Sequence, residues 1–171
     1  MGDTVPARYT ERPFPDYRHV PRRTPHPTRD PAGHSAGRAR EVLPDLNQVP
    51  WRSSDESLYG LDLFNEGYWW ECHEVLENLW HAAGLGTGAG RALQVIIQCA
   101  AAHLKVFCGQ PIGASRLVDH AQAHADRSDR RRLGLDLRAV VAATRSHVSG
   151  GAPPARLIPA PLAGRDDSDD I

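Results

Sequence analysis

The sequence of 171 residues contains little lysine, methionine or cysteine. Arginine supplies 19 of the 20 basic residues, and Lys105 is the remaining one. The formal net charge of -1 excludes a protein that is basic overall, which argues against a nucleic-acid partner. The cysteines number three, all fall within predicted helices, and no apolar secretory segment precedes them. We therefore expect reduced thiols and a cytoplasmic location.

Long apolar runs are also absent. The most apolar stretch, residues 92–108, is interrupted by Gln94, Gln98, His103 and Lys105. A membrane span needs about 20 mostly apolar residues, so this stretch indicates a buried helix. The sequence predicts no membrane segment.

The first 50 residues contain nine prolines and eight arginines but few large aliphatic residues. This composition is typical of a flexible leader that cannot bury a core of its own. However, residues 13–21 mix aromatic and apolar side chains with prolines, which suits an extended arm laid across a folded surface. Both interpretations of residues 1–50 stay open. At the other end, we expect residues 149–171 to form a flexible tail.

Between these ends, the apolar spacing predicts one helical domain over residues 51–148. We expect helices at 55–65, 68–83, 91–108 and 111–127, with a less regular one at 136–148, and Asp55 as the cap of the first. Gly67 would separate the first two helices, and the glycine-rich residues 84–90 would form a connector. No segment shows the alternation of a strand. The predicted class is therefore all-α, a single compact bundle of about four to five helices with an extended Pro-rich N-terminal arm.

The second helix carries the sharpest chemical signal. His73, Glu77 and Trp80 are three and four residues apart and share one face with Trp69 and Trp70. An imidazole and a carboxylate at this spacing suit a divalent cation such as Zn, Mn, Fe or Ni, or acid–base catalysis by His73 and Glu77. On the same helical wheel, Glu71, Glu74 and Asn78 would face water.

A structural interpretation competes with this one. His73 and Glu77 would then pair with each other, while the tryptophans fill the core. On the third helix, Gln98 and Lys105 share a polar stripe that faces either solvent or the pair on the second helix. In the second case, Trp69, Trp70, Trp80, Gln98 and Lys105 would line a ligand pocket.

The spacing His73-x-x-x-Glu77-x-x-Trp80 resembles the hallmark of a bacterial and archaeal family, domain-of-unknown-function family three-oh-nine. The resemblance is closest over residues 60–84 and extends through residues 58–125. It implies a small helical protein without an established activity. The arm is similar to the leader of one branch of the family, with His26-Pro27 and Gly33-His34-Ser35. The resemblance therefore suggests His26 and His34 as further metal ligands beside His73 and Glu77.

We accordingly predict a metal or small-ligand site centred on His73 and Glu77, with metal-dependent hydrolysis as its reaction if the protein is an enzyme. The alternative is a helical interaction module that binds a protein partner, in which these side chains are structural. The sequence leaves homo-oligomerisation open.

Overall fold

The computed structural model describes residues 8–38 and 42–160, which form an all-α bundle with one small β-hairpin. Its elements are the helices α1 (Asp55–Asn65), α2 (Trp69–Ala83), α3 (Gly88–Phe107), α4 (Pro111–Ala125) and α5 (Leu137–Val148), and the strands β1 (Arg131–Arg132) and β2 (Leu135–Asp136). A short 3-10 helix, Trp51–Ser53, precedes α1. The predicted all-α class is confirmed.

Helix α3 lies at the centre of the bundle and packs against α2, α4 and α5, while α1 packs against α2. Its side chains are buried on most sides, including Leu93, Val95 and Ile96. A helix that is apolar nearly all round must be surrounded by other elements. None of the helices in residues 8–38 and 42–160 is both long and apolar enough to cross a membrane.

The turn between α1 and α2 depends on Gly67. This residue has a backbone φ angle of 79°, which residues other than glycine rarely adopt. Its N–H donates to the carbonyl of Phe64 at 3.2 Å, and the Tyr68 N–H donates to that of Leu63 at 2.8 Å. These bonds satisfy the last carbonyls of α1 and turn the chain directly into α2.

The cap of α1 and the first residue of α3 differ clearly from the prediction. The N-cap of α1 is Ser54, whose hydroxyl accepts from the Ser57 N–H at 3.2 Å, and Asp55 is the first helical residue. Helix α3 begins at Gly88, inside the expected glycine-rich connector, because Thr87 caps it by accepting from the Gly90 N–H at 3.0 Å. A side-chain cap offsets the low helix propensity of glycine in the first turn.

The sequence did not predict the β-hairpin. Its two central residues, Leu133 and Gly134, have φ angles of 53° and 69°, as in a type I′ turn. Leucine is an unusual residue there, and strands of two residues are too short to show alternation. The side chains of Leu133 and Leu135 are buried in the core, and this burial offsets the cost of the unusual turn.

Both segments that flank the helical domain lie against it. In the arm, the side chain of His19 is buried, and the Tyr59 hydroxyl of α1 donates to the carbonyl of Pro13 at 2.9 Å. The segment after α5 was expected to be flexible, yet Leu157 is fully buried and its N–H donates to Asn65 Oδ1 at 2.7 Å. Residues 1–7 and 39–41 of the predicted arm and residues 161–171 of the predicted tail lie outside the described residues.

Candidate functional site

Three side chains of α2 bring potential metal ligands together. His73, Glu74 and Glu77 each offer one ligand atom, and these atoms lie within 4.8 Å of one another. The side chain of His73 is 34% exposed, and its Nδ1 lies 3.7 Å from Glu74 Oε1. The helix itself creates this group, because His73 and Glu74 lie four and three residues before Glu77, which is about one turn away from each. No hydrogen bond or ion pair joins His73 to Glu77 in the described residues.

His73 also borders a cavity of about 640 Å³ between the arm, the start of α2 and the end of α3. A volume of this size is typical of small-molecule sites. The lining residues are Pro21, Arg22, Arg23, Trp69, Trp70, His73, Ala101, Leu104, Lys105, Cys108 and Gln110. The arm therefore forms one wall of the cavity, and two helices form the others.

Glu74 and Glu77 border a second, more open space of about 680 Å³, which Trp70 also lines. Glu77 does not line the cavity that contains His73. The three potential metal ligands thus border two different spaces: His73 borders the cavity, and Glu74 and Glu77 border the second space. A cation held there would have access to the cavity through His73.

Glu71 of α2 binds the arm through hydrogen bonds. Its side chain is buried, whereas the helical wheel predicted that it would face water. The residue is 4% exposed, and its Oε1 accepts from the His19 N–H at 2.7 Å and lies 3.0 Å from His34 Nε2. Glu71 Oε2 is buried with no hydrogen-bond partner among the described residues. The prediction for Glu71 was wrong because the wheel considers one helix alone, and here the arm covers the face expected to meet solvent.

The surroundings of His34 fix its orientation. Because a carboxylate only accepts, the His34 Nε2–H donates to Glu71, and His34 Nδ1 lies 2.9 Å from the Ser35 hydroxyl oxygen. Tyr17 packs against the same ring, with ring centroids 4.7 Å apart. The loop approaches closely at Gly33, where a side chain would collide with the carbonyl oxygen of Pro27.

A second carboxylate, Asp62 of α1, fastens the beginning of the described arm. It is 1% exposed and accepts from the N–H groups of Tyr9 at 2.7 Å and Thr10 at 2.9 Å. The Thr10 hydroxyl donates to the same carboxylate at 2.7 Å. Sequence reasoning missed Asp62; an acidic residue within the apolar run of α1 was the signal that could have indicated a buried partner.

Residues 58–117 match the family model described as a domain of unknown function, DUF309. This part of the chain, the DUF309 segment, is similar to that family. The match runs from α1 into α4 and includes the complete second and third helices. It confirms the resemblance inferred from the sequence and identifies a family without supplying an activity. No curated protein matches the chain.

The DUF309 segment brings some of the predicted pocket residues together. Trp69, Trp70 and Lys105 line the cavity with His73. Trp80 and Gln98 do not line it: Trp80 packs against the core and His81, and Gln98 donates to Gln94 at 3.4 Å. Three of the five predicted pocket residues therefore line the cavity, and other residues of α2, α3 and the arm complete it.

The two arm histidines lie outside the DUF309 segment and away from the group of potential metal ligands. His34 is paired with Glu71, and His26 packs edge-on against Trp70 with centroids 5.4 Å apart. Within the described residues, neither belongs to the group formed by His73, Glu74 and Glu77. The structure does place Glu74, which was expected only to face water, among the potential ligands.

His103, on α3 of the DUF309 segment, is a core residue. Burial, reinforced by the nearby His147, lowers the pKa of His103 to about 3. Its ring stacks on Trp69 with centroids 5.4 Å apart, and neither ring nitrogen has a hydrogen-bond partner within the described residues. A neutral imidazole at this position supports the wall of the cavity from behind and adds no charge to it.

The three cysteines form no disulfide in the structure. Burial raises the pKa of the Cys72 and Cys99 thiols, which makes them unreactive core residues. Cys108 is half-buried at the cavity. The buried, unreactive thiol of Cys72 therefore does not form a nucleophilic pair with the neighbouring His73.

Proposed function

We propose that this protein binds a small ligand in the cavity beside α2 and a divalent cation at His73, Glu74 and Glu77. One observation carries the proposal: His73 belongs both to the cavity wall and to the group whose ligand atoms lie within 4.8 Å of one another. A cation bound there would stand next to a ligand in the cavity.

The donor set fits a borderline transition metal. One imidazole nitrogen and two carboxylate oxygens suit Zn, Mn, Fe or Ni. Three protein ligands from one helix face would leave coordination positions for water or for the ligand, as in catalytic metal sites. The partial exposure of His73 and Glu74 allows a cation to enter from solvent. We assign no role as metal ligands to His26 and His34, because neither belongs to this group within the described residues.

Metal-assisted hydrolysis is the reaction that this arrangement supports best. The cation would lower the pKa of a bound water and polarise the bond to be cleaved. His73 would act as a ligand or as an acid–base group at the cavity, and Glu77 as a ligand or as the general base. The cytoplasmic location and any homo-oligomer remain predictions.

Elemental mass spectrometry of the protein purified without a metal-binding tag tests the cation site. We expect near-stoichiometric metal after reconstitution with Zn, Mn, Fe or Ni, and its loss in both His73→Ala and Glu77→Gln. His81→Ala is the matched control, because His81 is an exposed histidine on the same helix outside the group. Circular dichroism would verify that each variant keeps its helices.

The alternative is an interaction module in which His73, Glu77 and Trp80 are structural. Packing of Trp80 against the core favours a structural role for that residue. Reconstituted protein without bound metal, and without a change in the His73→Ala or Glu77→Gln variants, would contradict the cation site. A search for a protein partner would then be the next step.

A further inference from the structure

We infer that the cavity beside α2 is a site for a small organic anion with a planar ring system, and that the N-terminal arm supplies two of its three cationic side chains. This inference rests on the proposed ligand site and names its ligand class. It does not require a bound metal.

The charges around the cavity all have one sign. Arg22, Arg23 and Lys105 line it, and no carboxylate does so among the residues that the structure describes. In a chain with a net charge of -1, a cavity whose arginine and lysine side chains face no lining carboxylate is not a consequence of composition. Cations grouped around a concave space with partly apolar walls attract an anion and raise its local concentration.

The beginning of α2 adds to this positive potential. Trp69 and Trp70 are the first two residues of the helix, both line the cavity, and the N-cap residue Tyr68 forms no side-chain cap. The unsatisfied N–H groups and the dipole at a helix N-terminus favour a negative charge nearby. The Glu71 carboxylate in the same first turn offsets part of the helix contribution, so the three cations supply most of the positive potential.

The uncharged walls suit a flat, apolar ring system. The indoles of Trp69 and Trp70 lie beside Ala101 and Leu104 on the cavity surface. Trp69 is held in place by stacking on His103 and by an edge contact with Phe107. Indole faces bind planar rings through dispersion and stacking, and a fixed indole loses little entropy on binding.

A specific turn of the arm presents the two arginines. The N–H groups of Arg23 and Thr24 both donate to the carbonyl of Val20, at 3.0 and 3.2 Å, and the Thr24 hydroxyl accepts from the Val20 N–H at 3.0 Å. Arg22 at the tip has a φ of 68°, a conformation that a non-glycine residue adopts at a cost. Strained residues of this kind concentrate at ligand sites.

Arg23 reaches across to α3, where its guanidinium carbon lies 5.9 Å from the ring centroid of Phe107. On the same helix, Lys105 Nζ donates to Gln110 Oε1 at 2.7 Å, and both of these residues border the cavity. The cations thus come from two separate elements, the arm and α3, and converge on one cavity.

Isothermal titration calorimetry with three probes tests the ligand class. The probes are 2-naphthalenesulfonate, its neutral analogue 2-naphthol, and inorganic sulfate. We expect stoichiometric binding of the sulfonate, binding at least about tenfold weaker for naphthol, and weaker binding still for sulfate, since one charge-assisted contact is worth about tenfold in affinity. The titrations use chelator-treated full-length protein, because the sulfonate needs no metal and cannot be hydrolysed.

Variants then locate the site. Arg22→Gly removes the guanidinium while glycine keeps the turn, Arg23→Ala removes the second cation, and Lys105→Met keeps the length of the side chain without its charge. Each should weaken sulfonate binding about three- to tenfold and leave naphthol unaffected. Arg29→Ala, an exposed arginine of the same arm outside the cavity lining, should bind like the wild type.

Equal affinity for sulfonate and naphthol, undetectable sulfonate binding, or wild-type sulfonate affinity in all three variants would overturn the inference. These outcomes are distinguishable from failure of the cation site. Metal binding without sulfonate binding would refute the ligand class alone, and sulfonate binding without metal would refute the cation site alone.

Discussion

Replacing Glu71 with alanine removes the single oxygen that receives both the His19 N–H and His34 Nε2. His19 is 5% exposed, so its N–H would lose its acceptor in a place that water hardly reaches. An unsatisfied buried donor costs about 1–3 kcal/mol, and the lost bond from His34 adds about 1 kcal/mol. We therefore expect Glu71→Ala to destabilise the docked arm by about 2–4 kcal/mol.

Hydrogen exchange at the His19 amide measures this effect directly. A loss of about 2–4 kcal/mol corresponds to exchange that is about 30- to 700-fold faster, up to the rate of an undocked arm. Urea unfolding followed by circular dichroism reports whether the helical bundle is also destabilised. A smaller effect on the bundle than on the His19 amide would show that the arm opens locally.

Glu71→Gln is the matched control. Its amide oxygen can still accept from the His19 N–H and from His34, so we expect the docking free energy to stay within about 1 kcal/mol of the wild-type value. Wild-type exchange of the His19 amide in Glu71→Ala would refute the conclusion that Glu71 fastens the arm.

Three further predictions concern the bundle. Leu79→Ala, at a fully buried position of α2, should lower the free energy of unfolding in urea by about 2–5 kcal/mol, and a loss below about 1 kcal/mol would contradict the packing. Gly67→Ala should cost about 1–2 kcal/mol in the same assay because of its φ of 79°, and an unchanged midpoint would contradict that turn. The pKa of His103 falls from 6.5 to about 3 on folding, so the unfolded chain binds the additional proton and stability should decrease as the pH falls from 6.5 towards 3. His103→Leu should reduce the slope in that range by up to about 1.4 kcal/mol per pH unit, and an equal slope in both proteins would refute the burial of a neutral imidazole.

The positions of the helices followed from the sequence because they depend on local rules. The apolar spacing in α2 and α3, the break at Gly67 and the first-turn proline Pro111 each act within one or two turns of helix. The hairpin after α4 escaped prediction since its central residue Leu133 contradicts the usual turn preferences, and its stabilisation comes from distant core contacts.

The candidate site could be predicted only in part. The face of α2 that carries His73 and Glu77 is a property of one helix, and the sequence defines it. The burial of Glu71, the separation of His34 from His73 and the arginines of the cavity wall all depend on where the arm lies. An arm with few large apolar residues carries no periodic signal, so its position becomes visible only in the structure, through contacts such as its hydrogen bonds to Asp62 and Glu71.

The most direct test of the central claim is a calorimetric titration of metal-free protein with Mn²⁺ and Zn²⁺, comparing the wild type with His73→Ala and His81→Ala. We predict one saturable cation site in the wild type and in His81→Ala, and its loss in His73→Ala, because His73 is the residue that joins the group of potential metal ligands to the cavity. The same cation affinity in His73→Ala and in the wild type would contradict the account.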